Sequence, residues 1–296
     1  MFRFIMVLGL LSVSTIEPCY AQSSVEFIRT NSVAFDVSSP LPEVIYPILA
    51  DYKVLWLGEI HGTNESPAAV LKFAELIVNH GKDVFVALEI PRQDQDLVRQ
   101  AVAMEDRELL KNVPFFRGPY HDGRSSEAMS NLLMSLHRFG QKVTVYCIDP
   151  APADNDAQDR DTKMGGLLND AVKENPSRVG IALTGNIHSR KTLGTPFDPN
   201  YRPAAYEALN APDSPLKRRD LLPVMVRYLG GEAWVCMPES ESPAPVCGVH
   251  QFAEFHSNYS DAVTYNSYFL RDQANFDGHD ATMFFKTLTA SEPLVQ

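Results

Sequence analysis

The sequence predicts an α/β fold in which helices cover both faces of a mainly parallel sheet. Apolar runs of strand length alternate with segments of helical period along the first two thirds of the chain, which is the order expected when helices connect parallel strands. The runs are almost continuously apolar, as is typical of strands that are buried on both faces. The composition of the 296 residues, 45% hydrophobic and 21% charged, fits an ordinary globular protein.

Four strands are predicted in the first two thirds of the chain. Each is a short apolar run with polar or turn-forming residues on both sides. They are Lys53 to Leu57 (KVLWL), Asp83 to Leu88 (DVFVAL), Val143 to Ile148 (VTVYCI) and Val179 to Leu183 (VGIAL).

Helices are predicted between these strands. The first begins at Ser66-Pro67, because serine caps a helix and proline suits its first turn, and Gly81 ends it. The others are predicted over Gln93 to Leu110, from Ser125 to Gly140, and over Asp159 to Glu174.

The last third of the chain, from about residue 200 to 296, is less regular. Its strand candidates are Glu232 to Met237 and Ala262 to Leu270, which we expect to extend the same sheet. No linker is long enough to separate two units, so residues 22–296 are predicted to form a single domain.

The first 21 residues predict a secretory signal peptide. Arg3 precedes an apolar run from Phe4 to Leu11, and Cys19-Tyr20-Ala21 precedes the predicted cleavage site. A lipoprotein anchored through Cys19 is the alternative, although a charge and a proline stand before that cysteine. No later run reaches the roughly 20 apolar residues of a transmembrane helix. We therefore expect an exported protein, periplasmic or secreted, without stable membrane insertion.

The charge balance argues against nucleic acid as a partner. The chain has 26 Lys and Arg against 37 Asp and Glu, a formal net charge of −11. Nucleic-acid binders attract the phosphate backbone with positive surfaces. The expected partner is a small-molecule or peptide substrate.

Export favours a disulfide, because the compartments outside the cytoplasm are oxidising. Cys236 and Cys247 flank a loop rich in Pro, Ser and Glu, and we expect a bond between them, worth roughly 3 kcal/mol in the chain-entropy model. Cys147 lies in a predicted strand and is expected to be a buried, unreactive thiol.

Ionisable residues follow all four predicted strands. Glu59 and His61 follow the first strand, Glu89 the second, Asp149 the third and His188 the fourth. Ligands bind beyond the carboxyl ends of parallel strands, so we expect these residues to share one site.

Two of the strand ends carry the same short pattern, GxxH. It occurs as Gly58-Glu59-Ile60-His61 and as Gly185-Asn186-Ile187-His188. Glycine permits a tight turn, and the histidine three residues later can then reach back over the sheet. One GxxH carries little information, whereas a pair at two strand ends favours a functional site over two solvated loop histidines.

The three segments GEIHG (58–62), ALEIP (87–91) and GNIH (185–188) together resemble the superfamily that includes the erythromycin esterases, the ChaN-type haem-binding uptake proteins and the Tiki metalloproteases. The resemblance extends over residues 54–188 and implies a three-layer α/β/α sandwich. It implies functional roles for four residues, namely Glu59, His61, Glu89 and His188.

Other segments match this superfamily less completely. The segment DGRSSEAM, residues 122–129, resembles an accessory element of some bacterial members. The C-terminal histidine pair of the esterases has no counterpart among His250, His256 and His279.

Two reaction types suit these four residues. In the first, His61 and His188 bind a divalent cation through neutral imidazoles. Glu59 and Glu89 complete the coordination shell of the cation or act as the general base. A water molecule bound to the cation then loses its proton near pH 7. In the second, a histidine held by a glutamate activates water without a metal. The sequence leaves both open, and the leading hypothesis is an exported, metal-dependent hydrolase of ester or amide bonds.

Four further polar residues are candidates for substrate binding. For Arg92, an exposed ion pair at the start of a helix is about as good an explanation as substrate binding. For Arg124, a role in the turn before the next helix is the alternative to substrate binding. The candidates are Arg92, Arg124, Asn186 and Asp149.

The competing hypothesis is a non-catalytic haem- or metal-binding uptake protein of the ChaN type. Haem requires an axial ligand above a flat apolar surface. Tyr120 and Tyr201 are candidate ligands, and the CxxCH attachment motif is absent.

Overall fold

The computed structural model describes residues 25–118, 121–150, 157–238, 245–252, 265–271 and 278–295. The predicted signal peptide, Tyr120 and His256 lie outside these residues. Over the described part of the chain, no helix is long and apolar enough to cross a membrane.

Within the described part of the chain, nine strands form one sheet. They are β1 (Val33–Ala34), β2 (Val54–Glu59), β3 (Val84–Pro91), β4 (Val143–Asp149), β5 (Val179–Gly185), β6 (Leu221–Met237), β7 (Val246–Phe252), β8 (Ser267–Arg271) and β9 (Ala281–Leu288).

The helices lie mostly between these strands. They are α1 (Val25–Asn31), α2 (Tyr46–Leu49), α3 (Glu65–Asn79), α4 (Gln95–Met104), α5 (Arg107–Lys111), α6 (Pro114–Arg117), α7 (Glu127–Leu136), α8 (Ala157–Glu174) and α9 (Ala204–Asn210).

The strand order is β1-β8-β9-β6-β2-β5-β3-β4, and β7 pairs with β6 beside this path. Six strands, β9, β6, β2, β5, β3 and β4, pair in parallel. The pairs β1–β8, β8–β9 and β6–β7 are antiparallel. The predicted α/β fold with a mainly parallel central sheet is therefore confirmed.

The sheet separates two apolar clusters, which makes the fold a three-layer sandwich. Successive residues of β2 point to opposite faces: Leu55 and Leu57 pack in the cluster that includes α3, α4 and α7, whereas Val54 and Trp56 pack in the cluster that includes α8 and α9. All four side chains are fully buried. Burial on both faces explains why these strands are almost continuously apolar in sequence.

The predicted helix from Gln93 to Leu110 is two helices, α4 and α5. Glu105 adopts a left-handed backbone conformation with φ of 53°, which ends α4. Asp106 then begins α5, because its carboxylate accepts a hydrogen bond from Leu109 N at 2.9 Å. The apolar period continues across this junction, so the break is not visible in the hydrophobic pattern.

The last third of the chain contains more strand than the sequence predicts. Strand β6 is 17 residues long and pairs with β2, and β9 pairs with β6. Pro223 lies near the start of β6, and Gly230-Gly231 lies in its middle. Proline and glycine are both unfavourable inside a strand, so the sequence does not predict one here. The strand predicted from Ala262 is observed as Ser267–Arg271 within the described residues.

The predicted disulfide between Cys236 and Cys247 is present. The two residues are paired across the antiparallel strands β6 and β7, so the bond joins neighbouring strands of a hairpin. Cys147 is buried and free, as expected.

Candidate active site

The carboxyl ends of the parallel strands bring the predicted residues together. Glu59 is the last residue of β2, Glu89 lies near the end of β3 and Asp149 is the last residue of β4. Each of these carboxylates is only 5% exposed. His61 and His188 lie on the turns after β2 and β5. These five residues, together with the arginines that bridge them, Arg124 and Arg160, form what we call the strand-end cluster.

Glu59 orients the ring of His61. The His61 Nδ1 atom lies 3.0 Å from Glu59 Oε1. The other ring nitrogen, Nε2, faces the next strand, where it lies 3.6 Å from Glu89 Oε2. The His61 side chain is 23% exposed, so solvent reaches this ring although both carboxylates are buried.

Glu89 lies at the centre of the cluster. Its Oε2 atom accepts a hydrogen bond from the Gly185 N–H at 2.7 Å, which ties the end of β3 to the end of β5. Its Oε1 atom accepts hydrogen bonds from Arg160 at 2.6 Å and from Arg124 at 3.3 Å. Glu89 therefore binds the end of β5 through Oε2 and both arginines through Oε1.

Two arginines bridge Glu89 and Asp149. Arg124 donates to Asp149 Oδ2 at 2.7 Å, and Arg160 Nε donates to Asp149 Oδ1 at 2.8 Å. Arg124 is further held by Asp122 through several hydrogen bonds of 2.8–3.1 Å. The guanidinium groups are thus fixed by carboxylates on two or more sides.

His188 is held between a buried carboxylate and a guanidinium group. Its Nδ1 atom lies 2.6 Å from Oδ1 of Asp161, which is fully buried. Its Nε2 atom lies 3.1 Å from Arg160 NH1. Because a guanidinium group only donates, the Nε2 atom accepts this hydrogen bond and the ring proton belongs on Nδ1.

The local charges shift the pKa values of the two central residues in opposite directions. Burial on its own would raise the pKa of Glu89, but His61, His188 and the two arginines outweigh it, so the carboxyl titrates well below its usual range. Burial on its own would lower the pKa of His61, but the carboxylates of Glu89 and Glu59 outweigh it and raise the pKa above 6.5. Burial raises the pKa of Glu59, although His61 and Ser66 oppose this.

Two glycines shape the turns beside His61. Gly62 and Gly123 both have positive φ, and a Cβ atom on either would collide with the carbonyl oxygen of Trp234 on β6. The backbones are joined where they meet, since Gly62 N donates to Gly123 O at 3.1 Å and Trp234 N donates to Gly62 O at 3.0 Å. The β6–β7 hairpin therefore packs directly on the loops that carry His61 and Arg124.

The remaining predicted substrate-binding residues differ in position. Asn186 lies on the turn after β5, where its backbone N–H donates to Glu59 O at 3.0 Å. Arg92 is exposed on a short 3-10 turn and lines a neighbouring open cavity of about 490 Å³ with Lys163 and Leu167. Within the described residues, no hydrogen bond or ion pair joins Arg92 to the strand-end cluster.

Sequence reasoning missed Arg160 and Asp161. Both lie near the start of α8, eleven and twelve residues after Asp149, so a search of the residues that directly follow each strand does not reach them. Only the packing of α8 against the sheet brings them to His188. The neighbouring pair of opposite charges is common on solvated helices and carries no signal of its own.

Two of the four predicted metal ligands, Glu89 and His188, are held by other protein groups in this structure. Glu89 and Asp149 are already bound by Arg124 and Arg160, and both ring nitrogens of His188 face other protein groups. Two fixed guanidinium cations at these carboxylates repel a divalent cation at the same oxygens. Within the described residues, no group of three or more His, Cys, Asp or Glu side chains is arranged to hold a metal ion.

Haem does not fit the strand-end cluster either, because haem needs a flat apolar surface and the cluster consists of carboxylates, guanidinium groups and imidazoles. Of the two tyrosines considered as ligands, Tyr120 lies outside the described residues. Tyr201 closes a surface loop, where its carbonyl oxygen accepts a hydrogen bond from Gly194 N at 2.7 Å.

Neither a protein-family model nor a curated protein matches this sequence. Solved structures do match. A succinoglycan biosynthesis protein superposes with a TM-score of 0.68 at 10% identity, over 90% of this chain and 97% of the other. A mutant of the erythromycin esterase EreC in its open conformation superposes with a TM-score of 0.65 at 12% identity, over 89% of this chain and 98% of that chain.

The chain shares its fold with these two proteins. The resemblance read from the GxxH and ALEIP segments is therefore confirmed at the level of the fold. ChaN of Campylobacter jejuni, solved with cofacially bound haem, also matches, at a TM-score of 0.41 and 11% identity over 86% of this chain and 97% of that chain. At that TM-score the likeness has no bearing on haem binding by this chain.

Proposed function

We propose that this chain is an exported hydrolase of ester or amide bonds in which His61 activates water without a metal ion. The observation that carries the proposal is the contact between Glu59 and His61. A buried carboxylate 3.0 Å from Nδ1 holds the proton on that nitrogen, which leaves the lone pair of Nε2 available as a base.

The reaction begins with a water molecule hydrogen-bonded to His61 Nε2. As the water oxygen bonds to the carbonyl carbon of the substrate, its proton passes to Nε2 and the carbonyl oxygen becomes an oxyanion. When the bond to the leaving group breaks, His61 returns the proton to the leaving oxygen or nitrogen. The imidazolium that forms in between is stabilised by Glu59 and Glu89, the same carboxylates that raise the pKa of His61.

Arg124 and Arg160 supply the positive charge that a metal would otherwise provide. Their side chains are 20% and 30% exposed, so solvent and a small substrate have partial access to both. Fixed donors that face a developing oxyanion lower the barrier because they need no reorganisation during the reaction. Glu89 and Asp149 keep both groups in place.

The fold supports hydrolysis in general terms, since it is shared with an erythromycin esterase. The substrate proposed here is an ester or amide of a small molecule or peptide. Export is supported by the predicted signal peptide and by the Cys236–Cys247 disulfide, which suits an oxidising compartment.

A comparison of His61→Ala with His137→Ala tests the proposal on a panel of chromogenic esters and amides. His61→Ala removes the base, so turnover should fall by about 10²–10⁴-fold. His137 is exposed at the end of α7, where its Nδ1 atom lies 3.0 Å from the Val102 carbonyl oxygen. It lies before the amino end of β4, away from the proposed chemistry at the carboxyl ends of the strands, so its replacement should leave turnover unchanged. A wild-type protein that turns over no member of the panel, or a His61→Ala variant at full rate, contradicts the proposal.

A further inference from the structure

A second group of charged side chains surrounds a cavity away from the strand-end cluster. Four residues line this open cavity of about 360 Å³, and we call it the cationic pocket. Lys191 comes from the segment after β5, Arg218 from the turn before β6, Arg271 from the end of β8 and Asp280 from the residue before β9.

The pocket carries excess positive charge. Among the described residues, three cations line it against one carboxylate, in a chain whose formal net charge is −11. Asp280 contacts Lys191. Within the described part of the chain, no carboxylate lies within ion-pair distance of Arg218 or Arg271.

The two arginines are positioned by uncharged groups. Arg218 NH1 lies 3.5 Å from the Lys191 carbonyl oxygen, and the Arg271 guanidinium group lies 5.4 Å from the centre of the Tyr52 ring. These contacts orient the side chains without neutralising them. Each guanidinium group therefore retains donors for an anion.

Lys191 is held at the base of the pocket. Its side chain is only 8% exposed, and its backbone N–H donates to Gly278 O at 3.1 Å. Burial, together with the positive charges of Arg218 and Arg271, lowers the pKa of Lys191 to about 8 in spite of the contact with Asp280. A cation that is buried near other cations is stabilised by an anion between them.

The chemistry of the lining limits what the pocket can hold. All four lining side chains are charged, whereas sites for drug-sized or lipid-like molecules are lined mainly by apolar and aromatic groups. The planar fork of arginine matches the oxygens of phosphate and carboxylate groups, and phosphate offers more oxygens and more charge to three cations.

We infer that Lys191, Arg218 and Arg271 form a binding site for a small, multiply charged anion of the phosphate or phosphomonoester type. The site is separate from the proposed hydrolytic reaction, which uses none of these side chains. Asp280 orients Lys191 toward the anion and limits the net charge of the empty pocket.

Isothermal titration with inorganic phosphate tests this site, with sodium chloride of equal ionic strength as the blank. Wild-type protein should show saturable binding to one site. Arg271→Gln and Arg218→Gln should each raise the dissociation constant for phosphate by about tenfold or more, since each removes a charge-assisted hydrogen bond. Lys191→Met should raise it at least as much.

Arg219→Gln is the matched control. It removes the same charge from the same turn, but Arg219 does not line the pocket, so phosphate affinity should stay within twofold of the wild type. Arg218 and Arg271 are exposed, so their variants decide the question even if Lys191→Met does not fold. Absence of saturable phosphate binding in the wild type, or equal weakening in Arg219→Gln and Arg271→Gln, overturns the inference.

Discussion

At the scale of single residues, the account depends on which group each ring nitrogen faces. His61 has one nitrogen on Glu59 and one toward Glu89 at 3.6 Å, beyond direct hydrogen-bond distance. His188 has Nδ1 2.6 Å from the buried carboxylate of Asp161 and Nε2 3.1 Å from Arg160 NH1. The two GxxH histidines look equivalent in sequence, but His188 Nδ1 is buried against Asp161 and Nε2 faces Arg160, whereas His61 is 23% exposed and its Nε2 lies 3.6 Å from the nearest carboxylate of the cluster. We therefore assign His61 as the base and His188 as a residue that positions Arg160.

The pH dependence of turnover tests the role of Glu89. Only neutral His61 acts as a base, so turnover should fall as pH drops through the pKa of His61, which lies above 6.5 in the folded protein. The negative charge of Glu89 is the largest single cause that raises this pKa against the effect of burial. Glu89→Gln keeps the size of the side chain and removes its charge, so the midpoint of the acidic limb should move to lower pH.

Glu108→Gln serves as the control for this shift. Glu108 is an exposed carboxylate on α5 that pairs with Lys111, so its replacement should leave the acidic midpoint where it is in the wild type. If the acidic midpoint of Glu89→Gln stays unchanged or moves to higher pH, the titration of His61 does not cause the acidic limb, and the prediction is contradicted.

The residue scale also shows how far the sequence could define the site. Glu59, His61, Glu89, Asp149 and His188 were expected together because strand ends of a parallel sheet meet at one edge, and the structure brings them together. Arg124 was a candidate that turn chemistry explained about as well. The arginine from α8 and its acidic neighbour were missed because no rule of local spacing connects the first turns of a later helix to a strand end.

At the scale of elements, the parallel strands were predictable and the last third of the chain was not. Strands β2 to β5 are short apolar runs, and their burial on both faces produces that pattern. Strand β6 combines a proline, two adjacent glycines and a half-exposed end, so its sequence has neither the continuous nor the alternating pattern of a strand. Its place next to β2 follows from tertiary pairing alone.

The hairpin formed by β6 and β7 gives a prediction about stability. Replacing Cys236 and Cys247 together by serine should lower the free energy of unfolding by roughly 3 kcal/mol, because the open chain gains conformational freedom. Urea unfolding measures this difference. Reductant should destabilise the wild type by a similar amount and leave the double variant unchanged, and a wild type that is insensitive to reductant would contradict the prediction.

Cys147 is the internal reference for that experiment. Burial raises the pKa of its thiol to about 12, so it should not react with iodoacetamide until the protein unfolds. Peptide mapping without reductant should find Cys236 linked to Cys247 and Cys147 free. A linkage of Cys147 to either partner would contradict its position inside β4.

At the scale of the whole molecule, the chain is an acidic α/β sandwich with two sites of opposite character. The strand-end cluster places carboxylates around two arginines, and the cationic pocket places three basic groups around one carboxylate. The overall charge of −11 disfavours nucleic acid but does not reveal either site, because both depend on where the fold places a few residues.

Export is a property of the whole chain and is tested by its mass. The apolar run after Arg3 predicts cleavage after Ala21, so the mature protein should begin at Gln22. Intact-mass measurement of the protein recovered outside the cytoplasm should show the loss of 21 residues. Retention of Met1, or a lipid on Cys19, would contradict soluble export.

In the proposed reaction, this site hydrolyses its substrate with His61 and two arginines in place of a metal ion. The most direct measurement is the turnover of an ester by freshly purified wild-type protein before and after exhaustive treatment with a chelator, with metal content determined on the same sample. The account predicts the same rate in both samples and less than stoichiometric metal throughout. A rate that is lost with the chelator and restored by one added divalent cation would contradict it.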